Sequence, residues 1–514
     1  MPKIYHRPRF TREFLRRMTK IKHPDEMLED AKNEGLEKTL GVWDLVILGI
    51  GAIIGSGIFA VVGIAAAGDN GAGPALMASM VIAAVACVFS ALCYSEFAAM
   101  IPVAGGAYTY TFATLGEFAA WMVGWVLMLE YAIGYIAVAC AWSNYVMQFL
   151  KGFKHLIPAW AAGFHPVSNL SIWHLSLRLD IPAILVVLII TAILIKGTKD
   201  SAKMAAVMVA VKLGVIGLFV LTGMFYIKPE NWTPFAPNGF EGIFMGAFII
   251  FFAYIGFDAL ATTAEECKNP QKDLPIGIIG SLVVTTIVYV LVALVMTGIQ
   301  PTSGMPIPAG FLKAPLAYTM TSVGQNWIAG LISIGAIAGL TSVLLVLQMA
   351  ATRILYAMSR DNFISKRFQK LHAVHKTPAL LTWVVGLVAI VGTFTLNLNI
   401  AAALCNFGTF TSFIIVCVAV LILRKTEPDR PRPFRVPWSP VLPWMGILCC
   451  GGLMIYSMKF LTTSAMLFPL WLGFGALIYF HYGYKKNRYK ENEIHMEKIA
   501  HKKQERNKNE LNNK

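Results

Sequence analysis

The sequence predicts an all-α integral membrane protein with about twelve transmembrane helices. Three observations predict it. Of 514 residues, 57% are hydrophobic and only 14% charged, against about 25% charged in a soluble domain. Such a chain cannot cover a water-facing surface. Apolar runs near the ~20 residues that span a bilayer recur along its length. Finally, 36 of the 43 lysines and arginines fall on the two tails and on alternate connecting segments.

The runs lie at 43–67, 74–99, 117–149, 181–196, 202–227 and 241–264, then at 274–299, 326–357, 379–396, 400–423, 441–461 and 465–483. Each is closed by a polar, glycine- or proline-bearing stretch, where a helix can stop. The basic residues sit at 1–42, 196–203, 268–272, 353–376, 424–435 and 485–514. By the positive-inside rule both termini are cytoplasmic. The net charge of +15 is then explained by topology and by anionic inner-leaflet lipid, without nucleic acid. About forty polar, basic residues precede the first run, a poor match to a cleavable signal peptide. With no sorting signal apparent, a cell (cytoplasmic) membrane is expected. Seven of the eight cysteines lie inside apolar runs and read as small core residues. No HExxH, paired His/Cys spacing, catalytic dyad or phosphate loop is present, so neither an enzyme nor a metal or cofactor protein is expected.

The first run carries GIGAIIGSGIF, with Gly49, Gly51, Gly55 and Gly57 in mid-span. No strand precedes it, which discards a dinucleotide fingerprint. Gly51 and Gly55 have GxxxG spacing, suited to close helix packing, but packing leaves Ser56-Gly57 unexplained. The other reading is a broken helix. A break exposes amides at the start of the outer half and carbonyls at the end of the inner half, and in a bilayer such groups must line a cavity. The amides suit a carboxylate and the carbonyls an ammonium. The sixth run carries FFAYIGFD, Phe251 to Asp258. Two interrupted spans, antiparallel and five apart, point to an inverted repeat with its site at mid-membrane. The expected organisation is a basic segment (1–40), a core (41–424) of spans 1–5 (43–227) and 6–10 (241–423), two appended spans (425–484) and a charged cytoplasmic tail (485–514).

Further stretches carry a resemblance: YSEFAAMIPVAGGAYTYTFATLGE (Tyr94 to Glu117), TTAEECKNPQKDLPIGI (Thr262 to Ile278) and RILYAMSRDNFISKRFQKLHAVHKTP (Arg353 to Pro378). With the glycine stretch they resemble the amino acid–polyamine–organocation superfamily. FFAYIGFD and LMLEYAIGY, with Glu130, are similar to its cationic amino acid transporter branch in a bacterial-type form, over roughly residues 35–425. The resemblance implies a LeuT-like 5+5 inverted repeat, discontinuous first and sixth helices, and transport of L-amino acids by alternating access. It places the substrate carboxylate on the amides of Ser56 and Gly57 and the Ser56 hydroxyl. The ammonium falls on the carbonyls of Ile53, Phe252, Ala253 and Ile255.

Charges within the spans are costly, about 2.5–3.5 kcal/mol each at mid-bilayer on insertion scales. Lys212 lies in AAVMVAVKLGVIGLFV with no acid in its own span, too central for snorkelling. In relatives of this fold a sodium ion, or in proton-coupled members a lysine on the fifth helix, links helices 1 and 8. Lys212 matches that lysine. Its expected partners are the carbonyls near Ile53 and Ser56, with Thr341 and Ser342 on the eighth span. This favours proton symport over exchange without net proton movement, or over a non-transporting amino acid sensor. Asp258 either meets the ligand or fixes the unwound backbone, and Glu130 faces a side-chain pocket or a water chain. Phe252, Tyr254 and Phe257 are candidate gates. Glu96, Glu265, Glu266, Arg353, Arg360 and Asp361 read as ion pairs at the cytoplasmic helix ends.

Overall fold

A computed structural model describes residues 18–28 and 40–483, apart from 68–69, 104, 151–161, 173–174, 197–200, 265–266, 303–305, 362, 371, 373–376 and 396–397. Glu265, Glu266 and the tail after Gly483 therefore lie outside the described residues. Long apolar runs in a bilayer must satisfy every backbone group internally, and a helix does so within one segment. The runs fold accordingly as α1 (Val42–Ala67, interrupted), α2 (Gly73–Met100), α3 (Glu117–Leu150), α4 (Ile181–Lys196), α5 (Ser201–Gly223) and α6 (Gly239–Ala261, interrupted). After these come α7 (Pro270–Ile299), α8 (Asn326–Arg360), α9 (Ala379–Thr395), α10 (Leu398–Thr426), α11 (Val441–Ser457) and α12 (Thr462–Ile478). Among the described residues nine helices are long and apolar enough to cross a membrane, and three shorter apolar ones accompany them at α4, α9 and α11. The chain is a multi-pass membrane protein.

Two features depart from the purely helical expectation. Strands β1 (Ala162–Ile172) and β2 (Leu175–Asp180) pair antiparallel between α3 and α4. The strict apolar–polar alternation of LSLRLD at 175–180 is a period-2 strand signal, too short and too polar for a search for apolar spans. Short helices also occupy connections, at Ala107–Thr114, Ala309–Lys313 and Pro315–Ser322.

The core is built around α3, which packs along α8 and α10, while α7 packs along α1 and α2. With lipid outside as apolar as the core, interhelical hydrogen bonds and close packing hold spans together. Gln348 on α8 is fully buried and joins four helices. Its Oε1 accepts from Tyr135 of α3 at 3.0 Å, and its Nε2 donates to Thr191 Oγ1 of α4 at 2.8 Å and the Thr382 carbonyl of α9 at 3.1 Å. Every amide atom is thereby used, so α3, α4, α8 and α9 form one welded unit. The last span, α12, attaches to α3 by indole donors: Trp121 Nε1 to the Gly475 carbonyl and Trp125 Nε1 to that of Trp471, both at 2.9 Å.

Gln348→Leu keeps the volume but strands the Tyr135 hydroxyl. A buried unsatisfied group costs about 1–3 kcal/mol, so the unfolding midpoint of the detergent-solubilised variant should fall clearly below the parent. An unchanged midpoint would show that the weld contributes nothing.

Candidate functional site

Both expected interruptions are present as backbone geometry. The inner half of α1 ends at Ile53, and Ile54 is extended (φ −71°, ψ 99°). The chain resumes through a wide helical turn at Gly57–Val61 and a regular turn at Val62–Ala67. In α6 the regular helix ends at Phe251. A tight turn follows at Phe252–Tyr254, Ile255 is extended (ψ 138°), and helix restarts at Phe257. Gly256, between them, has φ 124°, a conformation glycine adopts without steric cost.

The two breaks are packed against each other. A Cβ added to Gly57 would lie 2.2 Å from the Ala253 Cα, and one on Gly256 would lie 2.8 Å from the Ala52 carbonyl oxygen. Glycine is therefore required at Gly57 by the approach of another backbone, and at Gly256 by both conformation and approach.

The carbonyls freed by unwinding are mostly claimed. Lys212 on α5, with no exposed surface, donates to the Gly51 carbonyl at 2.6 Å, the Ile54 carbonyl at 2.8 Å and Ser342 Oγ of α8 at 3.3 Å. All three ammonium protons are spent, and α1 is tied to α8 through α5. The Tyr289 hydroxyl of α7 lies 3.0 Å from the Ile53 carbonyl and 2.8 Å from that of Ala253, bridging the two breaks. The amides are not claimed in the same way. Among the described residues, no backbone hydrogen bond outside the helical elements is donated by Gly55, Ser56 or Gly57. The Ser56 hydroxyl is buried without a hydrogen-bond partner.

The structure brings Ile53, Ser56 and Gly57 of one break beside Phe252, Ala253 and Ile255 of the other, with Lys212 and Ser342 alongside. Thr341 departs from its expected place. Its hydroxyl accepts from Trp142 Nε1 at 3.0 Å and donates to the Ile337 carbonyl at 2.7 Å. Consecutive helical residues do not share a face, so Ser342 turned to Lys212 leaves Thr341 turned to α3. The lysine takes the carbonyls of Gly51 and Ile54, on either side of Ile53, whose own carbonyl lies 3.0 Å from the Tyr289 hydroxyl.

Asp258 accepts from the Tyr131 hydroxyl and from the Gly256 amide at 3.1 Å. The carboxylate thus braces the backbone that it follows. Glu130 differs: it is fully buried beside the Thr409 and Ser412 hydroxyls of α10, which also reach the Cys405 and Gly408 carbonyls at 3.0 and 3.1 Å. Among the candidate gates, Tyr254 donates to the Met80 carbonyl at 3.1 Å, and Phe257 packs edge-on to Tyr94. Glu96 is held by Arg424, Arg432 and the Val436 amide, and Asp361 by Lys22 and Tyr108.

Tyr289, Tyr131 and Gln348 were not singled out from the sequence. Tyr289 and Tyr131 left a signal, as hydroxyls in the middle of the apolar runs 274–299 and 117–149 rather than at a membrane interface, where tyrosine concentrates.

An amino acid permease family model matches residues 40–477. The chain is 44% identical over 456 residues to the branched-chain amino acid permease of Bacillus subtilis (strain 168), covering 88% of this chain and 95% of that protein. It is 42% identical over 465 residues to the methylthioribose transporter of the same organism, covering 90% and 97%. Against the chloroplastic cationic amino acid transporter 9 of Arabidopsis thaliana it is 36% identical over 433 residues, covering 83% and 74%.

Gly57→Ala and Gly256→Ala force the breaks apart. Overpacking of this kind costs about 1–3 kcal/mol, so both variants should unfold at lower temperature. Gly214→Ala on α5, where an added methyl meets nothing within 4 Å, should leave the midpoint unchanged or raise it. Equal midpoints for all three would contradict the close packing of the breaks.

Proposed function

This chain belongs to the amino acid permease family, a family of transporters rather than enzymes, and we propose that it is a proton-coupled secondary transporter of L-amino acids working by alternating access. The observation that carries this reading is the asymmetry at the breaks. The carbonyls of Gly51 and Ile54 have donors on Lys212, and those of Ile53 and Ala253 share the single Tyr289 proton, whereas among the described residues the Ser56 hydroxyl has no partner and the amides of Gly55 to Gly57 make no bond to another segment. Unspent donors at the start of a half-helix suit a carboxylate. The ammonium of the same substrate would take the carbonyls of Ile53 and Ala253 over from Tyr289, with those of Phe252 and Ile255 beside them.

The interruptions at α1 and α6, five spans apart, support α1–α5 and α6–α10 as two inverted halves with α11 and α12 appended. The domain limits follow: 1–40, 41–424, 425–484 and 485–514. The distribution of basic residues supports cytoplasmic termini and a place in the cell membrane.

Lys212 is the coupling group in this account. Protonated, it ties α1 to α8; on giving up its proton it loses a donor and the tie weakens, so the two sides separate more easily. The substrate and the proton then leave on the same side. An ammonium already seated on these carbonyls leaves no place for a sodium ion. Glu130 serves the side-chain end of the substrate, and Asp258 keeps the α6 break in shape. The named relatives carry cargoes of different charge, so the substrate side chain is to be read from uptake.

The test is uptake of a panel of radiolabelled L-amino acids by the purified protein in proteoliposomes. An acid-outside gradient should accelerate uptake into vesicles holding no internal amino acid, which separates symport from exchange. Lys212→Met should lower the accelerated rate about tenfold or more, as a loss of ~1.4 kcal/mol or more demands. Acceleration preserved in Lys212→Met would exclude the coupling role, and uptake only against preloaded amino acid would make the protein an exchanger.

A further inference from the structure

We propose that Asn406 on α10 is a further substrate ligand, whose amide oxygen accepts a proton from the ammonium of the bound amino acid and so selects for it. The inference rests on the amino acid transport reading and deepens it at the same site. It starts from the packing of α10. Cys405 of that helix donates to the Glu130 carbonyl of α3. Phe410 and Phe413 lie against Phe251, where the regular helix of α6 ends, with ring centroids 4.1 and 5.8 Å apart. The same helix packs against Gly57–Val61 of one break and Phe252–Tyr254 of the other.

Asn406 has no exposed surface, and its Nδ2 donates to the Phe248 carbonyl of α6 at 2.6 Å. A backbone carbonyl can only accept, so the nitrogen of the amide must face it and the oxygen is directed elsewhere. Among the described residues that oxygen, Oδ1, has no hydrogen-bond partner. Helix carbonyls point toward the C-terminus, and Phe248 lies within the last turn before Phe251. The Asn406 amide is thereby held at the C-terminal end of a half-helix, beside the break. That end is the negative pole of the helix dipole and favours a cation.

A brace for the Phe248 carbonyl needs only a donor. Burying an acceptor beside it with nothing to bind is costly, so the oxygen is placed for a donor that arrives with the substrate. An ammonium has three protons to give. On the proposed reading the Ile53 and Ala253 carbonyls take two of them, and the Asn406 oxygen takes the third. The Ser56 hydroxyl, also buried without a partner among the described residues, is left for the carboxylate. These two unspent side-chain groups then answer to the two ends of one zwitterion.

The experiment measures, by calorimetry on the full-length protein in detergent, the binding of L-alanine, L-leucine and L-lysine, each against the acid lacking its α-amino group. Asn406→Leu should weaken the amino acid that the parent binds by about tenfold, as loss of a hydrogen bond to a charged group does, and leave its deaminated acid unchanged. Asn406→Ser, a smaller change whose hydroxyl bonds back to its own helix, should do the same and carries the comparison if the leucine variant does not fold. Asn406→Asp keeps an acceptor at this place and should keep the parent's preference for the ammonium-bearing ligand. Equal weakening of both ligands in the leucine and serine variants would overturn the inference, since loss of the Phe248 brace alone treats both alike. Loss of the preference in Asn406→Asp would overturn it too. A parent that binds none of the three amino acids would fail the transport reading itself, a different result from equal weakening.

Discussion

Unwound backbone in a bilayer has to be satisfied by something other than water, and here the Lys212 ammonium meets most of that demand at α1. One side chain supplies donors to two carbonyls of the broken helix and to a hydroxyl of α8. Without it the Gly51 and Ile54 carbonyls would be orphaned in a dry interior, each at a cost of several kcal/mol. The glycines that permit the break, the tight approach of Gly57 to Ala253 and the bridging Tyr289 all depend on that helix staying unwound at one place. The side chain that stabilises the break is also titratable, so a proton can alter the strength of the link.

Around this point the molecule divides into parts of different stiffness. The Gln348 amide joins α3, α4, α8 and α9 with no unused donor or acceptor. By contrast, α1 and α6 meet through close glycine contacts, one tyrosine hydroxyl shared by both breaks and the Lys268 N to Leu40 carbonyl bond beyond them. On the proposed reading the pair carrying the breaks moves against the welded unit, and Lys212 is the tie between them. Asp258, held by Tyr131 and the Gly256 amide, keeps the α6 break in shape during that movement.

Much of the architecture was legible because the bilayer imposes a length and a composition on every span. The run expected at 181–196 folds as Ile181–Lys196, and that at 326–357 as Asn326–Arg360. The interruptions were legible because glycine, serine and a carboxylate have few other reasons to occupy mid-span. Lys212 was legible for the same reason. The partners were not. Tyr289 reaches a carbonyl 236 residues away in the chain, and no local pattern encodes such a meeting. The resemblance expects Thr341 beside Ser342 against Lys212, although a helix turns adjacent residues to different neighbours. The strands Ala162–Ile172 and Leu175–Asp180 carry no long apolar run, the feature by which the spans are legible.

The claim at the centre is that two broken helices hold both ends of one zwitterion. It is tested most directly by calorimetric binding of a transported L-amino acid, its decarboxylated amine and its deaminated acid to the purified protein. Each end contributes hydrogen bonds to a charged group, worth about 1.5–3 kcal/mol apiece. Both truncated compounds should therefore bind at least about tenfold more weakly than the amino acid. Either one binding as tightly as the parent would contradict the account.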